Sequence, residues 1–139
     1  MSSALLATLL EAEHAAVYGY GVLGARLDDT ARRGALAAFD SHRARRDQLI
    51  ALLRERGATP QAPLPAYDVS AGSSQQALAL AVRLEEGLSV RWRDLVAGAE
   101  DPPLRALAVA GLQETAVRAA QWRTRAGITP ATVAFPGTA

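Results

Sequence analysis

The chain has 139 residues and a net charge of +1, so it is long enough to form one domain with a hydrophobic core and carries no strong attraction to nucleic acid or to a membrane surface. Half of its residues are hydrophobic but only 5% are aromatic, a balance more typical of closely packed helices than of sheets. It contains no cysteine, which excludes disulfides, thiolate metal ligands and a cysteine nucleophile. We expect a single domain over residues 1–139 in the cytoplasm.

The first predicted helix covers about residues 4–27, where apolar residues recur at steps of three and four. No basic residues precede its apolar run, and Glu11 and Glu13 interrupt that run early. We therefore expect neither a signal peptide nor a membrane anchor. The second predicted helix covers about residues 31–56, with Thr30 as its N-cap and Gly57 as its stop.

The third predicted helix covers about residues 74–97 and follows Ser73, which has capping-box spacing to Gln76. The fourth covers about residues 102–126, with Asp101 as N-cap and a proline at the first helical position. Only a few residues join the first helix to the second, and the same holds for the third and fourth. Each pair is therefore expected to form an antiparallel hairpin.

The connection between the two hairpins, residues 57–73, contains three prolines. At about 3.3 Å per extended residue it can span roughly 50 Å, whereas a helix of about 24 residues is only roughly 36 Å long. The linker can therefore run the length of the bundle and make the second and third helices parallel, which is the connectivity of ferritin-like four-helix bundles. The alternative is a plain up-down bundle with a loose middle loop, and the stiffening prolines favour the crossover.

The tail, residues 128–139, contains prolines at two positions and cannot be helical throughout. Its apolar residues include Val133 and Phe135. We expect this extended tail to pack on the bundle or on a second subunit.

Several ionisable residues fall on the apolar stripes of these helices: Glu13 on the first, His42 and Arg46 on the second, and Glu85 on the third. Because apolar stripes face the core, and a buried charge is costly unless it is paired or bound to a metal, these residues predict a polar site inside the bundle. Glu114 lies at the flank of the most apolar stripe of the fourth helix, so it could face inward or outward.

Carboxylates and a histidine at one level of a four-helix bundle are typical of di-iron sites, and such ligands suit iron or manganese. The pattern is incomplete here, because Phe39 and Val117 occupy the positions of a glutamate and a histidine in the two Glu-x-x-His motifs. A single metal ion with four ligands is the remaining metal hypothesis. Its candidate ligands are Glu13, His42, Glu85 and Glu114.

The competing hypothesis is a buried salt-bridge network without any metal. Arg46 lies one turn from His42, and Arg118 lies one turn from Glu114, so two arginines and a histidine could neutralise the carboxylates. Inward arginines repel a metal cation, so the sequence favours the network. The only literal Glu-x-x-His, Glu11 to His14, lies off the core stripe and is interpreted as a surface pair.

Several segments resemble the actinobacterial DUF4439 family of ferritin-like proteins, in an order that spans nearly the whole chain. The segments are EHAAVYGYG at 13–21, HRARRD at 42–47, GATP at 57–60, AYD at 66–68, VRLE at 82–85 and AFPG at 134–137. The resemblance implies a ferritin-like four-helix fold but no activity, because the family is named for its unknown function. By analogy with ferritin-like proteins it also implies a homodimer.

The sequence thus predicts an all-α, ferritin-like bundle that is non-catalytic, with a buried Glu/His/Arg network in place of a complete di-iron site. The alternative is a degenerate protein that binds iron or manganese or has a redox role. We expect no nucleic-acid and no membrane partner, and the sequence identifies no protein partner. A third interpretation, nucleic-acid binding through the arginines of the second helix, is disfavoured by the near-zero net charge.

Overall fold

The structure, a computed structural model, describes residues 2–138, and within this range it contains helices and no strand. This confirms the predicted all-α class for the described part of the chain. The predicted tail, residues 128–139, extends one residue beyond the described range. The helices are α1 (Ser2–Gly24), α2 (Asp29–Glu55), α3 (Ser74–Gly98) and α4 (Pro102–Ala126).

Side-chain caps fix the starts of α3 and α4. Ser73 accepts a hydrogen bond from the backbone N–H of Gln76 at 3.1 Å, and Asp101 accepts one from the backbone N–H of Leu104 at 2.9 Å. Each bond satisfies one of the N–H groups that a first helical turn leaves unpaired. At the other end of α4, Gly127 adopts the left-handed conformation with φ 72° and ends the helix.

The first connection differs from the prediction. Thr30 is not the N-cap of α2, because the helix begins at Asp29 and Asp28 precedes it without a side-chain capping bond. Likewise α1 ends at Gly24 although the apolar pattern continues to Leu27. Leu27 is still buried, at 4% exposure, so its side chain fills the core from the loop. Apolar spacing indicates which side chains are buried, and it does not mark where the helix ends. Side chains beyond the last helical residue are buried here as well.

Close approach of α1 and α3 sets their relative direction. Gly19 lies against Leu84, where a Cβ atom would come within 2.7 Å of the leucine Cδ1. Leu5, near the start of α1, packs against Gly98 at the end of α3. Because the start of one helix meets the end of the other, α1 and α3 are antiparallel.

The buried apolar residues form two clusters, one towards each end of the bundle. Leu10, Leu49 and Trp92 belong to the first cluster, and Leu23 and Trp122 belong to the second. Along α1, α2 and α3 a buried ionisable residue interrupts the apolar series at middle height. The core therefore contains a polar layer.

Residues 58–73 lie along α1 and contact it at successive heights. Within this segment Gln61 donates a hydrogen bond to the carbonyl of Ala7 at 2.7 Å. Further along, the chain reaches the C-terminal end of α1. The contacts in chain order join Gln61 to Ala7 and His14, Tyr67 to Tyr18, and Ala71 to Arg26.

The tail packs against α3 and α4. The guanidinium of Arg123 donates to the carbonyl of Pro130 at 3.0 Å, and Gly137 packs on α3, where a Cβ atom would lie 2.7 Å from the carbonyl oxygen of Ser89. Between these two anchors the tail borders an apolar groove of about 1010 Å³, and Phe135 remains 74% exposed. None of the described helices has the length and apolarity that a membrane crossing requires.

Candidate functional site

His42 lies at the centre of the polar layer and bridges two carboxylates from different helices. Its Nδ1 lies 2.7 Å from Oε2 of Glu13 on α1, and its Nε2 lies 2.7 Å from Oε2 of Glu85 on α3. All three side chains are buried, with at most 1% exposure. Because an ionised carboxylate can only accept hydrogen bonds, both ring nitrogens must donate, which requires the imidazolium form of His42.

Glu85 receives the largest number of contacts in the layer. Besides His42, its Oε2 accepts a hydrogen bond from the hydroxyl of Tyr20 at 2.7 Å. Its Oε1 accepts one from Nη1 of Arg118 on α4 at 3.0 Å. The indole N–H of Trp122 in turn donates to the hydroxyl of Tyr20 at 2.9 Å. Both oxygens of this fully buried carboxylate are therefore satisfied.

The network of Glu13, His42, Glu85 and Arg118 takes one residue from each of the four helices. Its two carboxylates are balanced by one imidazolium and one guanidinium, so its formal charge is zero. The two cations come close to each other, with Nη1 of Arg118 3.4 Å from Nε2 of His42. Both of these nitrogens point at Glu85, whose negative charge offsets their mutual repulsion.

The surroundings shift the pKa values of the buried groups. Burial lowers the pKa of His42, but hydrogen bonds to Glu13 and Glu85 outweigh it and raise the pKa to about 9. Burial raises the pKa of Glu85, but its bonds with His42 and the nearby Arg118 charge bring the pKa below its ordinary value. Burial and the charge of Glu85 raise the pKa of Tyr20 well above 10. At neutral pH the imidazolium, the Glu85 carboxylate and the neutral phenol are therefore the stable forms.

One carboxylate oxygen of the network differs from the others in its hydrogen bonding. Among the described residues, Oε1 of Glu13 is buried and has no hydrogen-bond partner. An unsatisfied buried polar atom costs about 1–3 kcal/mol, and more when the group is charged. A water molecule or a cation bound to this oxygen would remove that cost.

The structure brings three of the four predicted ligands together and leaves Glu114 outside. Glu114 is 45% exposed and pairs with Arg45 on the neighbouring helix α2 through two hydrogen bonds. The reason is the rotation of α4, which turns Gly111 and Thr115 to the core. The most apolar stripe of the fourth helix is indeed its buried face, and its flank residue Glu114 faces outward.

The prediction that Arg46 faces inward is wrong. Its side chain is 25% exposed and bonds the carboxylate of the adjacent Asp47 at 2.9 Å. Arg118 already supplies a second cation beside His42, and the long stem of Arg46 allows its charge to reach the surface. The arginine that enters the layer is Arg118 on α4, as the network hypothesis expected for that residue.

His14 is also placed differently from the prediction. It was expected in a surface pair with Glu11, but it is only 4% exposed and its Nε2 lies 3.1 Å from the carbonyl oxygen of Gln61. The linker covers this face of α1, which helical spacing alone does not reveal. The sequence analysis did not select Tyr20 or Trp122 as site residues, although each carries a polar tip that needs a partner when buried.

The donor atoms around His42 decide whether this site suits a metal ion. Within residues 2–138 no group of three or more His, Asp or Glu side chains is arranged to hold a metal ion. Both ring nitrogens of His42 are engaged with carboxylates, so neither offers the lone pair that a metal needs. In this arrangement Glu13, His42 and Glu85 do not fit a metal ion, and their predicted role as iron or manganese ligands stays a prediction.

The chain is similar to proteins whose function is not known. A family model described as a domain of unknown function (DUF4439) matches residues 4–139. The chain is 34% identical to a conserved hypothetical protein, rv2844, from Mycobacterium tuberculosis, whose crystal structure matches with a TM-score of 0.86 over 89% of this chain and 96% of that one. No curated protein matches the chain.

Proposed function

The chain belongs to the DUF4439 family, and on that premise we propose that it is a non-catalytic, cytoplasmic bundle protein in which a buried charge network takes the place of a di-iron site. The observation that carries the proposal is the set of partners around His42 and Glu85. Imidazolium and guanidinium groups already neutralise the two carboxylates. The layer therefore needs no metal cation to balance its charge.

The proposal includes ferritin-like connectivity, with residues 57–73 as the crossover. Contacts of this segment support it, because they run from Ala7 in the first part of α1 to Arg26, just beyond the end of that helix. The direction of the helices supports it as well. α1 is antiparallel to α3, and the short connection between α1 and α2 makes that pair antiparallel too, so α2 and α3 point the same way.

In this role the network fixes the relative height of the four helices. Each of its four members comes from a different helix, and a shift of one helix by one turn, about 5.4 Å, would separate the member on that helix from its partners. Apolar contacts alone are less selective, since alanine and leucine pack similarly in several registers. The network would therefore make the folded arrangement specific, at a cost in desolvation.

Elemental analysis tests the proposal. Protein purified after growth with added iron and manganese is expected to contain less than about one tenth of a metal ion per chain, and its thermal midpoint should not change on adding Mn²⁺. The matched comparison is the Glu13→Ala, His42→Ala double variant. Stoichiometric metal in the wild type that disappears in this variant would overturn the proposal and establish a metal protein instead.

The alternative, a degenerate metal-binding or redox protein, is favoured by one observation: the unpaired Oε1 of buried Glu13. Metal binding there would require His42 to lose a proton and Arg118 to move away from Glu85. Affinity for Mn²⁺ should then increase as the pH rises towards 9, the pKa of His42. Because Glu114 lies at the surface, Glu114→Gln should leave that affinity unchanged. Binding that is independent of pH would count against this alternative.

We also propose a homodimer that forms through the groove between α3, α4 and the tail. Phe135 and Val117 at this groove are 74% and 59% exposed. Among residues 2–138, its lining has only one acidic and one basic residue, Glu86 and Arg123, and they pair with each other at 3.0 Å. A second copy can therefore approach the same face without like-charge repulsion, and its Phe135 can enter the apolar groove.

Light scattering after size-exclusion chromatography tests the dimer. Phe135→Asp should convert the dimer to a monomer. The matched control, Leu36→Asp, also replaces a large exposed apolar residue, 57% exposed on α2, and should leave the dimer intact. A wild-type monomer at about 100 μM, or equal effects of the two variants, would contradict this interface.

A further inference from the structure

A second site lies between α2 and α4, next to the charge network, with which it shares only Arg118. It is a pocket of about 210 Å³. Its polar lining comes from Ser41 on α2 and from Arg118, Gln121 and Arg125 on α4, and no acidic residue lines it. We infer that this pocket binds a small oxyanion, a carboxylate or a phosphate group of a small molecule.

The lining supplies hydrogen-bond donors that have no acceptor in the part of the chain that the structure describes. Among residues 2–138, the side chains of Ser41, Gln121 and Arg125 have no hydrogen bond or ion pair. Arg118 uses only Nη1, which bonds Glu85. A guanidinium has five N–H donors and matches the geometry of carboxylate and phosphate oxygens. The pocket therefore presents two guanidinium groups with free donors to one small space.

Helix geometry brings the two arginines to the same side. Arg118 and Arg125 are seven residues apart, which places them on one face of α4 at about 10 Å separation along the axis. Their long side chains can reach towards each other across the intervening Gln121. The Arg125 guanidinium lies 5.6 Å from the centre of the Trp122 ring, which holds it over the pocket floor.

A comparison within the same molecule shows why Arg125 is unusual. Arg45 stands over Trp92 in a similar way, at 5.5 Å. Arg45, however, also binds the carboxylate of Glu114, which satisfies its charge. Arg125 has the same aromatic support and no carboxylate. An external anion would neutralise the Arg125 guanidinium and accept its hydrogen bonds, as the Glu114 carboxylate does for Arg45.

The mouth of the pocket is open because position 34 is glycine. A Cβ atom on Gly34 would lie 3.5 Å from the Trp122 ring and 3.6 Å from Arg125. A methyl group would therefore fit, but a larger side chain would occupy the space above the ring. Gly34→Leu thus fills the pocket without changing any charge.

The test is a nuclear magnetic resonance titration of the full chain with inorganic phosphate and, separately, malonate, with sodium chloride at matched ionic strength as reference. The two indole N–H signals serve as probes, because the chain has only two tryptophans. Trp122 forms the pocket floor, and Trp92 lies under a paired arginine. The variants are Arg125→Gln, Gly34→Leu and, as a control, Arg91→Gln, an exposed arginine on α3 that does not line the pocket.

The expected result is a saturable shift of the Trp122 signal with a dissociation constant in the millimolar range, and little change at Trp92. Arg125→Gln and Gly34→Leu should weaken binding at least about fivefold, and Arg91→Gln should not. Whether phosphate or malonate binds more tightly identifies the preferred oxyanion. A non-saturating shift, equal shifts of both indoles, or equal weakening by Arg91→Gln and Arg125→Gln would overturn the inference. The site is independent of the proposed structural role, because Arg125→Gln leaves every bond of the network in place.

Discussion

Replacing His42 with glutamine should remove the pH dependence of stability that the buried network creates. In the folded protein the pKa of His42 is raised from 6.5 to about 9. At about 1.4 kcal/mol per pKa unit, this rise corresponds to roughly 3 kcal/mol of stabilisation. Because the folded pKa is raised, this contribution is fully present below pH 6.5 and is lost as the pH rises through 9.

The assay is urea denaturation at a series of pH values between 6 and 9.5. Wild-type protein should lose roughly 3 kcal/mol of unfolding free energy across this range. His42→Gln should already be less stable by about 3–5 kcal/mol at pH 6.5, because it leaves two buried carboxylates with a single cation. Its stability should then change little with pH. At the thermal midpoint the difference at pH 6.5 corresponds to roughly 10–17 °C.

The control is His14→Gln, which replaces the chain's other histidine. His14 bonds a backbone carbonyl instead of a carboxylate, so this variant should keep the wild-type pH dependence. The reasoning is refuted if His42→Gln and wild type lose stability equally between pH 6.5 and 9. It is also refuted if the wild type is more stable at pH 9 than at pH 6.5.

Three further substitutions test the packing and the surface. Tyr20→Phe should destabilise the fold by about 1–3 kcal/mol in thermal unfolding, since it leaves the indole of Trp122 and the bonded carboxylate each short of a partner, whereas Tyr18→Phe should change little. Glu114→Gln should cost less than about 1 kcal/mol in urea denaturation, because its ion pair with an arginine is at the surface, and a larger loss would mean that this carboxylate reaches the core. Gly111→Ala should lower the thermal midpoint, because the added methyl group would meet the buried Trp92 ring, and an unchanged midpoint would show that the ring can move aside.

The burial of ionisable residues followed from the sequence for some side chains and not for others. Glu13, His42 and Glu85 are buried as the apolar stripes predicted, because a residue in the middle of a long stripe has no route to water. Arg46 lies on such a stripe as well, but its long stem allows the charge to leave the core. Helical spacing thus predicts burial well for short ionisable side chains and poorly for arginine.

Contacts between distant segments were harder to predict. His14 is buried by the linker, and nothing in the pattern of α1 indicates which of its faces the linker crosses. The direction that Glu114 faces depends on the rotation of α4. Two neighbouring stripes on that helix differ by only one residue in position, so a small rotation exchanges them. The pairing of Tyr20 with both Glu85 and Trp122 joins three helices and has no counterpart in local spacing.

The sequence by itself determined the number and approximate ends of the helices, the capping residues of α3 and α4, and the polar layer in the core, because local hydrogen bonding and apolar periodicity act over a few residues. Only the tertiary structure decided which cation neutralises which carboxylate, and that the layer takes one charged residue from each helix. The reason is physical: a buried charge selects its partner by distance in space. That distance depends on how the four helices are rotated and placed against one another, which no single helix encodes.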